Sequence, residues 1–244
     1  MSVPIAPEPA PSRAAIDFAG EALWLDASGA LFWPVQGLLA VADLHFEKAS
    51  FLANAGNPLP LYDTRDSLVT LARVVEAYAP RTLVLLGDSF HDPAALSRMS
   101  GDDRAVLSQI VDGVETCLWV EGNHEGEGFL PPGGIGVAEH RAGPLVFRHQ
   151  PDPADLSAQL VGHFHPKATV RRHGHRIRGR CFLVSGNRVV LPAFGSFTGG
   201  LDHTDPAFAA VFAGDEPRVF LCYRNNIHAV ASGAGSTRSR STGY

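Results

Sequence analysis

The sequence predicts an α/β fold in which two β-sheets pack together and helices cover their outer faces. Short apolar runs rich in Val, Leu and Phe alternate with turn clusters, as strands buried on both faces do. Helical patterns lie between the first three of these runs, and past residue 140 the pattern is mostly strands. A βαβαβ half followed by a β-rich half packs naturally as two sheets with helices outside.

Five apolar runs are the predicted strands on which the candidate site depends. They cover residues 37–43 (GLLAVAD), 82–88 (TLVLLGD), 116–122 (TCLWVEG), 144–150 (PLVFRHQ) and 158–163 (AQLVGH). Runs this short are typical of strands rather than of helices.

Two helical segments are predicted between the first three strands. The first follows Asp63, a predicted N-cap, and is expected to stop before Pro80. Its apolar residues recur at helical spacing: Leu68, Leu71, Val74, Val75 and Tyr78. The second segment lies within residues 92–113, where Gly101 could split it into two pieces.

The length of 244 residues fits one domain of ordinary size, predicted for residues 16–230. A Pro/Ala-rich flexible arm is expected over residues 1–15 and a disordered tail over residues 231–244. The arm lacks the basic cluster and apolar region of a secretory signal. No apolar run approaches the roughly 18 to 20 residues that a membrane span requires. We therefore expect a soluble cytoplasmic protein with no membrane partner.

A formal net charge of -5 argues against a protein whose whole surface is a track for nucleic acid, although it leaves room for a local basic patch. The chain has three cysteines, Cys117, Cys181 and Cys222, each within an apolar run. We predict buried reduced thiols rather than disulfide or metal roles.

Potential metal ligands follow all five strands. In chain order these residues are Asp43 and His45, Asp88, Asn123 and His124, His149, and His163 and His165. Strand carboxyl ends converge on one sheet edge, where ligands bind in open α/β folds. The two-residue spacing within the first and last pairs would let alternate strand positions project to one side. Each residue alone could be an ordinary turn residue. Donor side chains at five consecutive strand ends, however, together predict a metal site.

The donor set contains carboxylate, imidazole and amide oxygen but no thiolate. This donor set is typical of sites that bind Mn, Fe or Zn through nitrogen and oxygen, and it differs from the cysteine ligands of a structural zinc site. A carboxylate that bridges two cations offsets their repulsion and holds them about 3.5 to 4 Å apart, where both can act on one phosphate. We expect two divalent metal ions, with Mn²⁺ as the first choice and Fe or Zn as the others.

The ordered motifs resemble the calcineurin-like metallophosphoesterase superfamily, whose pattern is DxH, GDxxD, GNH[DE], H and GHxH. The counterparts here are Asp43/His45, Gly87-Asp88, Gly122-Asn123-His124-Glu125, His149 and Gly162-His163-Phe164-His165. The resemblance implies a four-layer α/β/β/α sandwich of two mixed sheets flanked by helices. It also implies one ion held by Asp43, His45, Asp88 and His165, and a second held by Asp88, Asn123, His149 and His163, with Asp88 as the bridge.

The same resemblance implies that His124 is a catalytic residue rather than a ligand, which contacts the substrate phosphate and protonates the leaving oxygen. The superfamily often has a second Asp three residues after the bridging one, hydrogen-bonded to this histidine. Here that position is His91, and Asp92 follows it. Either Asp92 orients His124 through a shifted turn or His91 takes the role, so both are candidate catalytic residues.

A narrower resemblance rests on VADLHFEKAS, PLYDTRDSLVTL, LLGDSFHD and GHFHP. These segments resemble the bacterial ligase-associated DNA damage response endonuclease (PdeM) subfamily, whose members are encoded near a DNA ligase and a helicase. The implied function is a phosphodiesterase or endonuclease that acts on DNA in repair, with a hydroxide shared by two metals attacking phosphorus.

Two other functions stay open. A phosphomonoesterase or a pyrophosphatase on a nucleotide or other small phosphoester could use the same ligands. A non-catalytic binding scaffold is disfavoured, because every ligand position and His124 carry suitable residues.

Six basic residues follow the last ligand motif: Lys167, Arg171, Arg172, Arg176, Arg178 and Arg180. A hairpin turning at His173-Gly174 would put several of them on one face near the metals. There, Arg171, Arg172 and Arg176 could bind phosphates of a nucleic acid. An ordinary solvated hairpin is the alternative. We expect His173 and His175 to be turn residues rather than a third metal site, and the roles of Glu47 and Lys48 stay undecided between surface and site.

Overall fold

The structure is a computed structural model that describes residues 12–57, 60–124, 129–172 and 174–230. In this part of the chain the N-terminal half forms a seven-stranded sheet whose strands follow one another in chain order. They are β1 (Arg13–Phe18), β2 (Glu21–Asp26), β3 (Leu31–Trp33), β4 (Leu38–Ala42), β5 (Thr82–Leu86), β6 (Thr116–Val120) and β7 (Ile135–Val137). Pairing is antiparallel from β1 to β4 and parallel from β4 to β7, so the sheet is mixed.

Helices cover the outer face of this sheet. They are α1 (Lys48–Asn54), α2 (Asp63–Tyr78), α3 (Ala95–Arg98) and α4 (Gly101–Asp112). Leu68 and Leu71 of α2 and Leu107 of α4 are buried against the sheet. Burial of each such side chain stabilises the fold by roughly 1.5 to 3 kcal/mol.

The ends of these helices partly match the expectations. The helix α2 stops at Tyr78, before Pro80, as predicted. The prediction of Asp63 as its N-cap is wrong: Tyr62 is the N-cap, and a carboxylate oxygen of Asp63 accepts the backbone N–H of Ala49 at 2.9 Å. The second helical segment is split near Gly101, where the hydroxyl of Ser100 caps α4 by accepting the backbone N–H of Asp103.

The C-terminal half forms the second sheet. Its strands are β8 (His140–Ala142), β9 (Leu145–Arg148), β10 (Ala158–Val161), β11 (Lys167–Arg172), β12 (His175–Ser185), β13 (Arg188–Val190), β14 (Arg218–Tyr223) and β15 (Asn226–Val230). Their order is β15-β14-β12-β13-β10-β9-β8, with β11 paired to β12. The strand β10 runs parallel to β9 and β13, whereas the other pairs are antiparallel. A short helix, α5 (Ala207–Val211), packs through Phe208 on the outer face.

The two sheets face each other across the largest apolar core. Trp33 and Leu86 of the first sheet and Phe147 and Phe182 of the second are buried in it. Helices lie outside both sheets, so the predicted four-layer α/β/β/α sandwich of two mixed sheets is confirmed.

Two predictions about the ends of the chain have different outcomes. The strand β1 begins at Arg13, so residues 13–15 pair with β2 and do not belong to the flexible arm. Ser12 is described, whereas the rest of the predicted arm, residues 1–11, and the predicted tail, residues 231–244, lie outside the described residues. No helix in the described ranges is both long and apolar enough to cross a membrane. The prediction for the cysteines is confirmed, because Cys117, Cys181 and Cys222 are buried and unbridged.

Candidate metal centre

The predicted ligands lie in turns with left-handed backbone conformation. The residues and their φ angles are Asp43 (53°), His45 (46°), Asp88 (45°), His163 (72°) and His165 (47°). Asp and His are among the residue types that adopt this conformation most readily after glycine. The strands β4 and β10 end at Ala42 and Val161, so these ligands do not occupy alternate strand positions. That geometric expectation is wrong, and the turns bring the side chains together instead.

The first donor group contains Asp43, His45 and His165, which offer ligand atoms within 4.8 Å of one another. The Nε2 atoms of His45 and His165 are 3.1 Å apart, and Nε2 of His165 is 3.3 Å from Oδ1 of Asp43. The backbone N–H of His163 donates to both carboxylate oxygens of Asp43, at 3.1 and 2.9 Å. This amide orients the carboxylate toward the histidines.

The second donor group contains Asp88, His149 and His163. Nε2 of His149 is 3.3 Å from both Oδ2 of Asp88 and Nδ1 of His163. Nδ1 of His149 is 3.7 Å from Oδ1 of Asp43, so the two groups are adjacent. The backbone N–H groups of Asn123 and His124 donate to Oδ1 of Asp88, at 2.7 and 3.1 Å.

The side chain of Asn123 lies beside the second group. Its Oδ1 accepts a hydrogen bond from Nε2 of Gln150 at 2.7 Å, and the same Nε2 is 3.5 Å from the ring nitrogens of His163. Gln150 is a residue of the site that sequence reasoning missed. The only signal for it was its position directly after His149.

The protonation states suit divalent ions. Burial, aided by the charge of His165, lowers the pKa of His45 to about 2, so this imidazole is neutral. Burial would raise the pKa of Asp88, but a hydrogen bond to His149 and nearby imidazoles hold it well below its usual range. Metal ligands must be neutral imidazoles and ionised carboxylates. The buried Nδ1 of His45 has no hydrogen-bond partner among the described residues, whereas its Nε2 lies 3.1 Å from Nε2 of His165.

His149 differs from His45 in its proton affinity. Burial lowers its pKa, but the hydrogen bond to Asp88 and the charges of Asp43 and Asp88 outweigh burial and raise it above 6.5. Burial and the charge of His149 lower the pKa of His163. A cation at the second group would therefore compete with the proton of His149.

His124 is oriented by a main-chain oxygen. Its Nδ1 lies 2.8 Å from the carbonyl oxygen of His91, and its Nε2 lies 3.7 Å from Oδ2 of Asp88. Its ring stacks on that of His91, with centroids 5.0 Å apart. Together with His45, these two residues form a third group of ring nitrogens within 4.8 Å.

The side chain of Asp92 contacts Arg98 and Ala94 rather than His124. Its carboxylate forms two contacts with the guanidinium of Arg98, one of them at 2.9 Å, and accepts the backbone N–H of Ala94 at 2.9 Å. No hydrogen bond joins Asp92 to His124 in the described ranges. Of the two candidates for orienting His124, the structure favours His91, acting through its main chain and ring.

Two glycines of the motifs allow close packing around the ligands. A Cβ added at Gly87, whose φ is +73°, would lie 2.3 Å from Nδ1 of His149. One added at Gly162 would lie 2.7 Å from Oδ2 of Asp43. Any larger residue would displace one of these candidate donor side chains, which explains the glycines in the GD and GHxH segments.

The acidic side of the site is a groove next to Asn123 and His149. It has a volume of about 450 Å³ and is also lined by Glu121, Glu139 and Asp152. The guanidinium of Arg148 in this groove is paired with Glu139, Asp152 and Asp155. Carboxylates therefore outnumber the basic group there.

The hairpin of β11 and β12 is separated from β9 and β8 by β13 and β10 in the second sheet. Arg171 pairs with Arg176, Thr169 with Arg178 and Lys167 with Arg180. Arg171, Arg176 and Arg178 are exposed. Arg172 pairs with His175, so His175 begins β12 and is not the turn residue that we expected. His173 and Glu125 lie outside the described residues, and the side chain of Arg172 is not described.

The two undecided residues after the first ligand pair have different environments. Glu47 is buried and accepts hydrogen bonds from the hydroxyls of Thr64 and Ser50, at 3.0 and 2.7 Å, so it holds α1 against α2. Burial lowers the pKa of Lys48, an effect that the charge of Asp63 opposes.

Neither a family model nor a curated protein matches this sequence. Among solved structures, the chain is similar to the crystal structure of Pseudomonas putida nuclease MPE, with a TM-score of 0.68 and 29% sequence identity. The alignment covers 90% of this chain and 100% of that chain. The fold is an α/β architecture of the metallophosphoesterase type, and it carries clustered His and Asp groups that can hold metal ions.

Proposed function

We propose that this chain is a dinuclear metal-dependent phosphodiesterase that cleaves nucleic acid, with DNA as the expected substrate. The observation that carries the proposal is the adjacency of two donor groups, which approach within 3.7 Å between His149 and Asp43. The similarity to a protein described as a nuclease supports the choice of substrate.

Seven residues would hold the two ions. Asp43, His45, Asp88 and His165 would hold one, and Asp88, Asn123, His149 and His163 the other. When bound there, Mn²⁺, or else Fe or Zn, would supply Lewis acidity to the phosphoryl oxygens and a water nucleophile near neutral pH.

His124 would hold the proton that the leaving oxygen requires. Its Nδ1 faces the carbonyl oxygen of His91, so Nδ1 carries a hydrogen and Nε2 is the atom left for proton transfer. A positioned acid of this kind contributes typically 10²- to 10⁴-fold to the rate.

Metal reconstitution tests the proposal. The full-length protein would be stripped with a chelator and titrated with Mn²⁺, Fe²⁺ or Zn²⁺, with metal content measured alongside turnover of bis-p-nitrophenyl phosphate, p-nitrophenyl phosphate, DNA and RNA. We expect two ions per chain and faster turnover of the diester than of the monoester. Binding of a single ion, or activity that survives both chelation and Asp88→Asn, would contradict the proposal.

The monoester is the informative comparison, because the ligands themselves do not distinguish the two ester classes. Preference for p-nitrophenyl phosphate over the diester would support the phosphomonoesterase alternative. A cytoplasmic role in DNA repair, beside a DNA ligase and a helicase, is part of the proposal and rests on the motif resemblance alone.

A further inference from the structure

The hairpin β11–β12 presents one basic face. Directly opposed residues of an antiparallel pair share a face of the sheet, so Arg171, Arg176 and Arg178 lie on the same face, together with Lys167 and Arg180. The three exposed arginines form no ion pair with any carboxylate in the part of the chain that the structure describes. We call Arg171, Arg176 and Arg178 the hairpin arginines.

The other two basic residues of this face have internal partners. Nη1 of Arg180 donates to the carbonyl oxygen of Phe194 at 3.1 Å, and Nζ of Lys167 donates to that of Thr198 at 2.8 Å. These contacts anchor the base of the hairpin. They leave the hairpin arginines as the groups that are free to contact a ligand.

Lys48 connects this face to the metal groups. Lys48 follows His45 by three residues, and its backbone N–H donates to the carbonyl oxygen of His45 at 3.3 Å. On the hairpin, Lys167 follows His165 by two residues and is the first residue of β11. Positive charge therefore continues from the donor groups to the hairpin.

In the second sheet, β9 and β8 lie on one side of β10, and β13 and β12 lie on the other. The charge on the side of β9 and β8 has the other sign. The groove beside Asn123 and His149 carries Glu121, Glu139 and Asp152 against the single guanidinium of Arg148. A polyanion that occupies the metal groups is repelled on that side and attracted on the side of the hairpin. The net charge of -5 means that this attraction is local.

We propose that the hairpin arginines bind the backbone phosphates of a nucleic acid strand that leads away from the scissile phosphate, with Lys48 and Lys167 lining the path between them. This inference rests on the proposed function, and it assigns the direction in which the bound strand extends from the scissile phosphate. The four-residue step from Lys167 to Arg171 spans about 13 Å of strand, or roughly four nucleotides along a duplex strand. A small diester is too short to span that distance.

The test compares two triple variants with the same change in charge. The first is Arg171→Gln/Arg176→Gln/Arg178→Gln. The control is Arg73→Gln/Arg81→Gln/Arg218→Gln, three exposed arginines of which the last two precede β5 and begin β14, at the amino ends of those strands. Binding of a fluorescent DNA oligonucleotide would be measured against salt concentration in a His124→Ala background, which suppresses turnover.

We expect the hairpin variant to bind the oligonucleotide at least tenfold more weakly near 0.1 M salt. The slope of log affinity against log salt should fall by about 2 to 3, because each lost phosphate contact removes roughly 0.7 to 0.9. The control should keep the affinity and slope of the parent. Equal losses in both variants, or an unchanged slope in the hairpin variant, would overturn the inference and leave the hairpin as ordinary solvated surface.

Two further measurements separate the possible failures. If the wild-type enzyme with Mn²⁺ does not hydrolyse bis-p-nitrophenyl phosphate, the proposed function itself fails. If that hydrolysis is present and oligonucleotide affinity is insensitive to the hairpin arginines, only the present inference fails. Loss of binding to phosphatidylserine vesicles with unchanged oligonucleotide binding would also overturn it, since the face would then serve a membrane surface.

Discussion

The Nδ1 atom of His124 lies 2.8 Å from the main-chain carbonyl oxygen of His91, and the two imidazole rings stack with centroids 5.0 Å apart. A carbonyl oxygen only accepts, so it fixes which nitrogen of His124 carries the hydrogen. Replacement of the side chain at position 91 leaves this acceptor in place. The tautomer of His124 is therefore set by the fold of the turn after Asp88.

This relationship predicts different effects for two alanine variants. His124→Ala should lower kcat on DNA by about 10²- to 10⁴-fold, because the leaving alkoxide then has no proton donor. The loss should be smaller on bis-p-nitrophenyl phosphate, whose leaving group needs no protonation. His91→Ala keeps the carbonyl and should cost less than tenfold. Steady-state kinetics on both substrates, with metal content as the control, checks this; equal losses on the two substrates would argue against an acid role for His124.

Asp92→Asn should affect stability more than catalysis, because Asp92 pairs with Arg98 rather than with His124. The hydrogen bond from Arg98 lowers the pKa of Asp92, so its contribution to stability is full above the unfolded-state pKa of about 3.9 and is lost as pH falls through the lower folded-state pKa. We expect a loss of about 1 kcal/mol at pH 7 that shrinks below about pH 4. Urea unfolding of both proteins between about pH 3 and 7 measures this. A large fall in kcat with unchanged stability would restore Asp92 as the orienting residue.

Gly87→Ala should disrupt the second donor group. The left-handed conformation costs about 1 to 2 kcal/mol for a residue with a Cβ, and that Cβ would also lie 2.3 Å from the ring of His149. The matched control is Gly56→Ala, which has a φ of +86° and no atom within 4 Å of the added carbon. Both variants should unfold more readily, but only Gly87→Ala should lose metal. Thermal unfolding together with metal analysis distinguishes them, and full metal occupancy in Gly87→Ala would show that His149 tolerates the displacement.

Affinity for the metal at the second donor group should rise with pH. Burial lowers the pKa of His149, but the carboxylates of Asp88 and Asp43 outweigh burial and raise it. This imidazole therefore keeps its proton to a higher pH than an ordinary histidine does, and a cation must displace that proton. Affinity should increase with pH until the pH exceeds the folded-state pKa of His149 and then become constant. Mn²⁺ titrations followed by calorimetry, repeated across this pH range, test the expectation. In His149→Gln the dependence should be absent at this group, and a dependence that persists would assign the proton to another residue.

The position of the donors along the chain could be predicted because each follows an apolar run long enough to be a buried strand. The backbone conformation that directs their side chains toward the site could not be predicted. Alternate positions of an extended strand were expected for Asp43 and His45, whereas both residues lie in left-handed turns set by tertiary contacts. One such contact is the hydrogen bond from the backbone N–H of His45 to the carbonyl oxygen of Asp88 at 2.9 Å.

Other features of the structure could not be predicted from the sequence, for physical reasons. The strand β1 alternates exposed Arg13 and Asp17 with buried Ile16 and Phe18, and β3 has only three residues, so neither forms the continuous apolar run that marks the central strands. The partner of Asp92 depends on how α3 turns Arg98 back toward it. The sequence does not reveal this contact, because an Asp and an Arg that are six positions apart need not meet.

The left-handed turns also set a limit on the stability that this fold can reach. Five of the seven predicted ligands occupy a backbone region that residues with a Cβ rarely adopt, and glycine would relieve the strain at each of them. Selection for heat resistance alone should therefore accumulate glycine at Asp43, Asp88 or His163 and produce a more stable protein that lacks these candidate metal donors. Only selection that also demands turnover would retain these residues, so their persistence in evolved variants reports on function in a way that persistence of the core does not.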